Sequence, residues 1–258
     1  MVHFRRETIK DIIHSDGVVT VKDLVQRFNV SIETIRRDLE YLEKHNCLQR
    51  IYGGAIALHP YEEEPNYRWR QEHNAQEKSC IAALAANLIE DSETVILTHG
   101  TTVLEVARHL NKKRNLTVIT PSLPIAAEVV GYPGTYVYCL GGHLRADDLC
   151  TSGMLAEQSL HFLNADKLVL GVGGITADHG ITDYNVDEST LLRKLLEISK
   201  TVIVVADHSK FGKIATCNIC GSKDISYLIT DSGTPKEAYA PFIAMGIQVL
   251  VSDSILKN

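Results

Sequence analysis

Two folds are expected in this chain. The N-terminus predicts a winged helix-turn-helix, helical with a small β wing, and the remainder predicts an α/β domain with a mostly parallel sheet. Three observations carry this. Three short helical patterns fit within the first 50 residues, separated by tight breaks. The alternating stretch CLQRIYGGAIAL, residues 47–58, follows the third helix directly and turns on Gly53-Gly54. From Glu77 onward, helical patterns alternate with short apolar runs.

The elements follow in order. Ile9, Ile12 and Ile13 sit at i, i+3 and i+4 and mark the first helix. After a break at Ser15-Asp16-Gly17, Val21, Leu24, Val25 and Phe28 repeat that face in the second. Asn29-Val30 makes a turn, and Ser31 is a good N-cap for a third helix whose buried stripe is Ile35, Leu39 and Leu42. With Ile35 and Leu39 inward, Glu33, Thr34, Arg36 and Arg37 project outward in its first turns. A recognition helix reads base edges with its N-terminal residues, and an arginine there bonds guanine O6 and N7 together or clamps a phosphate. Asp38, Glu40 and Glu43 suit the solvent side or intramolecular pairs. Taken alone, the two arginines fit a solvated helix face better, with pairs such as Arg36–Glu40. A wing after the third helix turns the balance toward DNA, with Arg50 and Tyr52 beside the backbone.

Residues 59–76 break the composition. Pro60, Pro65 and the run Glu62-Glu63-Glu64 predict an exposed linker, so the expected division is 1–58, 59–76 and 77–258. Helices are expected near 77–89, 101–110, 122–130, 153–163, 186–199 and 235–244. Strands are expected near 94–98, 116–120, 135–140, 166–171, 201–206, 226–230 and 247–251. Ligands in such folds gather at the carboxyl ends of strands. Gly100-Thr101-Thr102 falls at one such end, where free helix N–H groups and two hydroxyls suit a phosphate; a plain threonine-capped turn fits equally well. Ser122, Gly141-Gly142 and the stretch VVADHSKFGK with Lys210 mark other strand ends, and Lys210 is either a phosphate-binding cation or a surface lysine.

Composition narrows the function classes. The net charge is −6 and the hydrophobic fraction 45%, which excludes a polycation and a disordered chain. Residues 1–57 hold nine Lys and Arg against eight Asp and Glu, so nucleic-acid binding is local to that piece. MVHFRRETIK lacks a following apolar h-region, and no stretch of 18 apolar residues occurs. No membrane span and a cytoplasmic location are expected. Six scattered cysteines predict reduced thiols rather than a disulfide framework. Cys217-x-x-Cys220 has no second pair at ribbon spacing, so no metal and no cofactor are expected. His99, His143 and His208 all fall at predicted strand ends, either converging on one pocket or standing as separate loop residues.

VSIETIRRDLEYLEKHNCLQRIYGGA closely resembles the N-terminal signature of DeoR-family bacterial transcriptional regulators, including the spacing from TIRRDL to R-x-x-GGA. HGTT, TPS, LGGHLR, SG at 152–153, GVGGI, DESTLLRKLL and DHSKFG resemble the motifs of that family's sensor domain, in order. The resemblance covers nearly the whole chain. It implies a C-terminal fold related to ribose-5-phosphate isomerase that binds phosphorylated sugars or sugar alcohols. It also implies double-stranded operator DNA as a partner, contacted by Ser31, Glu33, Thr34, Arg36, Arg37, Arg50, Tyr52, Gly53 and Gly54. By the same resemblance, Gly100, Thr101, Thr102, Ser122, Gly141, Gly142 and Lys210 form the effector site. Glu188 is either a further member or a helix-start cap. A homo-oligomer is expected, a dimer or tetramer, because one chain reads one half-site. Two departures stand out. Thr98-His99 replaces the family's Asp-Ser before Gly-Thr-Thr, and Pro121 replaces an Asn, removing an amide and a backbone N–H. The phosphate cradle is kept while the part that reads the rest of the ligand is changed. The competing class is a sugar-phosphate isomerase carrying a DNA-binding domain, with Asp178, Asp183, Asp187 and Glu188 as its available carboxylates.

Overall fold

The computed structural model describes residues 2–16, 18–45, 47–56 and 64–252. Gly17 and residues 57–63, with Pro60, Glu62 and Glu63 of the expected linker, lie outside the described residues. Contacts divide the chain into two compact units, Met1–Trp69 and Arg70–Asn258.

The first unit holds α1 (Val2–Asp16), β1 (Val18–Thr20), α2 (Val21–Phe28), α3 (Ile32–Lys44), β2 (Gln49–Ile51) and β3 (Gly54–Ile56). Its core is the predicted apolar stripe: Ile9, Ile12 and Ile13 of α1 close on Leu24, Ile35, Leu39 and Leu42. Thr20 caps α2 by accepting from the Asp23 N–H, and Asn29 takes the left-handed conformation (φ 49°) that ends it. Ser31 caps α3, its hydroxyl accepting from the Thr34 N–H. The wing is larger than expected. β3 pairs antiparallel with β2 on one side and β1 on the other.

In the second unit the main sheet is wholly parallel. Its strands are β4 (Thr94–Leu97), β5 (Thr117–Thr120), β6 (Tyr136–Cys139), β9 (Ala165–Gly171), β12 (Ser199–Val205), β14 (Tyr227–Asp231) and β15 (Gln248–Ser252), in the order β15-β14-β12-β9-β4-β5-β6. Successive residues of a strand face opposite sides, so the runs read as continuously apolar because both faces are covered. Ile96, Leu168, Leu170, Val202, Val204 and Leu228 pack beneath α8 (Met154–Ser159), α9 (Val186–Glu197) and α10 (Lys236–Ala244) through Ala156, Leu191, Leu195 and Phe242. Val95, Leu97, Val169, Ile203, Val205 and Ile229 pack on the other side. There they meet α5 (Ala75–Asn87), α6 (Thr101–His109) and α7 (Leu123–Val129) through Ile81, Ala85, Val103, Val106 and Ile125.

Three features differ from the sequence expectation. Tyr67–Glu72, placed in the linker, forms a short helix, α4. A hairpin, β7 (His143–Arg145) with β8 (Cys150–Ser152), follows β6. A second sheet joins β10 (Gly174–Thr176), β11 (Gly180–Asp183) and β13 (Cys217–Cys220), all antiparallel. Cys217 and Cys220 therefore sit on one short strand as free thiols. Among the described residues, no helix is long and apolar enough to cross a membrane.

Candidate functional site

In the first unit α3 presents the predicted face. Ile35, Asp38, Leu39 and Leu42 are buried, while Glu33, Arg36 and Arg37 are exposed and Thr34 is half-buried. Glu40 pairs with Lys44 at 2.9 Å rather than with Arg36, which has no ion pair among the described residues. Arg37 lies 3.9 Å from Glu33, both largely in solvent. Glu43 takes Arg50 instead, accepting from its Nε at 2.7 Å and its backbone N–H at 2.9 Å, which fixes the wing against the end of α3. Tyr52 stands fully exposed at the wing tip. Gly53 has φ +85°, which the turn requires. Gly54 is buried, and a Cβ there would lie 2.0 Å from the Val19 carbonyl oxygen. Its lack of a side chain lets β3 pair with β1, so it serves the wing's packing. Of the two alternatives for Asp38, the structure shows the intramolecular pair: both Arg5 and Arg6 bond it from α1.

In the second unit, buried charges collect at the carboxyl ends of β4, β9, β12 and β14. Gly100 (φ 108°) opens α6 with no side-chain cap, so the first N–H groups of that helix have no partner within it. Thr101 and Thr102 are buried, and the Thr101 hydroxyl donates to the Arg70 carbonyl at 3.3 Å. The Arg70 guanidinium bonds Asp148, which is fully buried. Asp148 also accepts from Arg145 at 2.9 Å, and Arg145 holds Glu188 by two bonds, 2.5 Å at Oε1 and 3.0 Å at Oε2. His99 Nε2 lies 3.4 Å from Asp183 and 3.5 Å from Glu188. Burial alone would lower the His99 imidazole, but Cys150 and Asp183 beside it raise it well above the usual histidine range.

The cations of this mouth are tuned by the same burial. Lys210 ends a short 3-10 helix, His208–Lys210, and desolvation lowers its ammonium despite the attraction of Asp207. Lys78 is pushed down to about 8 by burial. Burial would raise the Asp207 carboxyl, yet Lys210 and Lys78 hold it low. Asn74 adds a hydrogen bond to Asp207 at 3.1 Å. The arrangement offers ammonium, guanidinium and helix N–H groups to an anion at one edge of the sheet.

The other predicted residues are placed differently. Ser122 is buried and caps α7, its hydroxyl accepting from the Ile125 N–H at 3.5 Å. Gly142 (φ 132°) is needed for strand pairing, since a Cβ would meet the Ser152 carbonyl oxygen at 2.3 Å. Gly141 is exposed with open space around it. Glu188 is in the first turn of α9, yet Asn185 is the cap and Glu188 turns inward to Arg145. The three histidines separate. His99 is buried, His143 is exposed on β7, and His208 bonds Asp231 through Nδ1 at 2.9 Å.

That bond with Asp231 raises the His208 imidazole. A raised folded value means the contribution is complete below an unfolded histidine's pKa of about 6.5 and is lost as pH rises through the folded value. Because the imidazole is 36% exposed, solvent screening holds the effect to under about 1 kcal/mol. The stability gap between wild type and His208→Gln in urea is expected to be wider at pH 5.5 than at pH 8.5. A gap of equal size at both would refute the linkage.

Residues 5–60 match the DeoR-like helix-turn-helix domain, and residues 73–232 match the DeoR C terminal sensor domain. The chain belongs to the DeoR family. Similar full-length relatives include the transcriptional repressor AccR of Agrobacterium fabrum, 36% identical over 89% of this chain and 90% of that protein. A putative aga operon transcriptional repressor of Escherichia coli O157:H7 is 34% identical over 96% and 93%. The glycerol-3-phosphate regulon repressor of Escherichia coli K12 is 32% identical over 90% and 91%. Ribose 5-phosphate isomerase from Plasmodium falciparum matches in structure at a TM-score of 0.39 and 17% identity, over 53% of this chain and 52% of that one. A likeness at that level carries no activity across. This DeoR protein is therefore a DNA-binding transcriptional regulator with a separate sensor domain.

Sequence reasoning missed most of the DeoR sensor's charged frame. Arg70 and Asn74 were absorbed into a linker, and Lys78 into a helix pattern. Arg145 and Asp207 lie inside the motifs LGGHLR and DHSKFG, so a signal for them was present in the stretches that carried the resemblance.

Proposed function

We propose that this DeoR-family protein represses a carbohydrate-utilisation operon, and that a phosphorylated sugar or sugar alcohol bound at the carboxyl edge of the sensor sheet controls it. The observation that carries this reading is the mouth itself: the uncapped start of α6 at Gly100, with Lys210 and the Arg70 guanidinium as cations. The relatives' names, an aga operon repressor and a glycerol-3-phosphate regulon repressor, point the same way. Gly100, Thr101, Thr102 and Lys210 hold the phosphate. Gly141 lines the approach, Ser122 and Glu188 support the site through the bonds they make, and Gly142 lets the chain pass close to Ser152. Glu33, Thr34, Arg36 and Arg37 meet the operator's base edges, with Ser31 capping their helix. Arg50, Tyr52 and Gly53 place the wing on its backbone. Residues 1–58 act as the DNA-binding domain. The sensor begins by Arg70, ahead of Glu77, because Arg70 pairs with Asp148. The protein works in the cytoplasm as a dimer or tetramer, since each chain reads one half-site. Regulation rather than turnover is supported at the carboxylates: Glu188 is engaged by Arg145 and Asp183 faces His99.

The test is a screen of sugar phosphates for release of operator DNA, followed by calorimetry. Losing a charge-assisted hydrogen bond costs about 1.5–3 kcal/mol, or about 10- to 150-fold. Lys210→Ala and Thr101→Val are expected to weaken the active sugar phosphate by that factor and to bind operator like wild type. An effector shifts the two states only through its different affinity for them, so these variants repress at effector levels that release the wild type. Wild-type response in both variants would move the site elsewhere.

A further inference from the structure

Three buried side chains on separate segments, His99, Cys150 and Glu188, come together beside the sensor's Gly100 turn, and a fourth, Asp183, meets His99. His99 follows β4, Cys150 opens β8, Asp183 ends β11 and Glu188 lies in the first turn of α9. All four are buried. One ligand atom each from His99, Cys150 and Glu188 lies within 4.8 Å of the others. His99 Nε2 stands 3.4 Å from Asp183 Oδ2 and 3.5 Å from Glu188 Oε2.

Those two spacings are long for N–H···O hydrogen bonds, which cluster at about 2.7–3.2 Å. A single imidazole N–H also cannot point at two carboxylates at once. One cation between them serves both. Around a tetrahedral ion, bonds of about 2.0–2.3 Å set neighbouring donors about 3.3–3.7 Å apart, which is where the two carboxylate oxygens already stand from Nε2. Cys150 Sγ lies within 4.8 Å of the His99 and Glu188 donors, so a closure of at most about 1 Å brings it to tetrahedral spacing. The flanking bonds resemble an outer shell that orients ligands. The Tyr184 N–H donates to Asp183 Oδ1 at 2.8 Å, leaving Oδ2 toward His99. Arg145 fixes the Glu188 carboxylate in plane by two bonds.

We propose that His99, Cys150, Glu188 and Asp183 form a binding site for a divalent ion of borderline softness, Zn2+ above all. A mixed nitrogen, sulfur and oxygen set selects such an ion over Mg2+ or Ca2+, which take oxygen ligands. The site reverses the expectation of no metal drawn from Cys217-x-x-Cys220. It ties together the Gly100 turn, the β7–β8 hairpin and the start of α9. The inference stands on the donor set and is independent of the effector's identity.

The test uses full-length protein stripped with chelator and loaded with the metal alone. Zn2+ is expected to bind at one equivalent per chain, and Co2+ to give a near-ultraviolet thiolate-to-cobalt charge-transfer band. Cys150→Ala is expected to lose the band and to weaken Zn2+ by at least about 100-fold, the upper end of what an outer-shell group is worth. Arg145→Gln is expected to keep the band and weaken Zn2+ by about 10- to 100-fold. Cys139→Ser removes an exposed thiol and is expected to change neither. Absence of the band in wild-type protein overturns the site without reliance on any variant. Retention of the band in folded Cys150→Ala, checked by circular dichroism, overturns it as well.

Discussion

Replacing Asp38 with alanine is expected to destabilise the first unit by about 3–5 kcal/mol, the cost of removing one partner from a buried ion pair. Asp38 is 2% exposed, in the middle of α3. Its two oxygens take Arg5 Nε at 2.5 Å and Arg6 Nε at 2.7 Å, both from α1. The two arginine side chains are themselves only 13% and 23% exposed. Arg6 also lies over the Tyr41 ring, 3.7 Å from its centroid, which limits its escape to water. Alanine therefore strands two cations rather than merely losing an attraction. Asparagine keeps the shape and one acceptor oxygen, so Asp38→Asn should cost less than Asp38→Ala. Glu40→Ala, which breaks an exposed pair with Lys44, should stay within about 0.5 kcal/mol. Amide exchange in α1 and α3 of the full chain reports the opening of this unit. Opening free energies in Asp38→Ala within about 1 kcal/mol of wild type would show that the pair is not what holds α1 to α3.

This pair also marks the limit of what the sequence made legible. α3 was readable because its signals are local: the Ser31 cap, the stripe Ile35, Leu39, Leu42, and the Gly53-Gly54 turn that follows. The parallel strands were readable because burial on both faces leaves continuous apolar runs. Asp38 was ambiguous because its partners lie 32 and 33 residues away. β1 was missed for the same reason. Three residues with one inward side chain, Val19, become a strand only by pairing with residues 54–56. In the sensor, Lys210 and the Gly100 turn were legible from strand-end position. Arg70 was not, because the residue that gives it a role, Asp148, is 78 positions on. His99, Cys150, Asp183 and Glu188 share no spacing at all. Only the folding of β8, β11 and α9 against the end of β4 brings them together.

The second large effect is expected at the DNA. Arg36→Ala/Arg37→Ala should weaken operator binding by roughly 2–6 kcal/mol, from about 1–3 kcal/mol for each base-reading arginine. Neither side chain contributes to the core. Arg37 is 76% exposed and only loosely paired with Glu33, and Glu40 has turned to Lys44, so Arg36 is held by no ion pair among the described residues. Two exposed guanidiniums, one of them only loosely paired, cost little in the free protein and are expected to be engaged on phosphate or guanine. Stability should therefore stay within about 0.5 kcal/mol of wild type, which separates this variant from Asp38→Ala. The single variants distinguish two modes of contact. An arginine on guanine O6 and N7 loses affinity at its own base pair and relaxes specificity there. An arginine on a phosphate weakens every sequence alike and lowers the salt slope by about one. Anisotropy titrations on the selected operator and a scrambled duplex, at two salt concentrations, read all of these. Unchanged operator affinity in the double variant would sink the assignment of α3 as the reading helix.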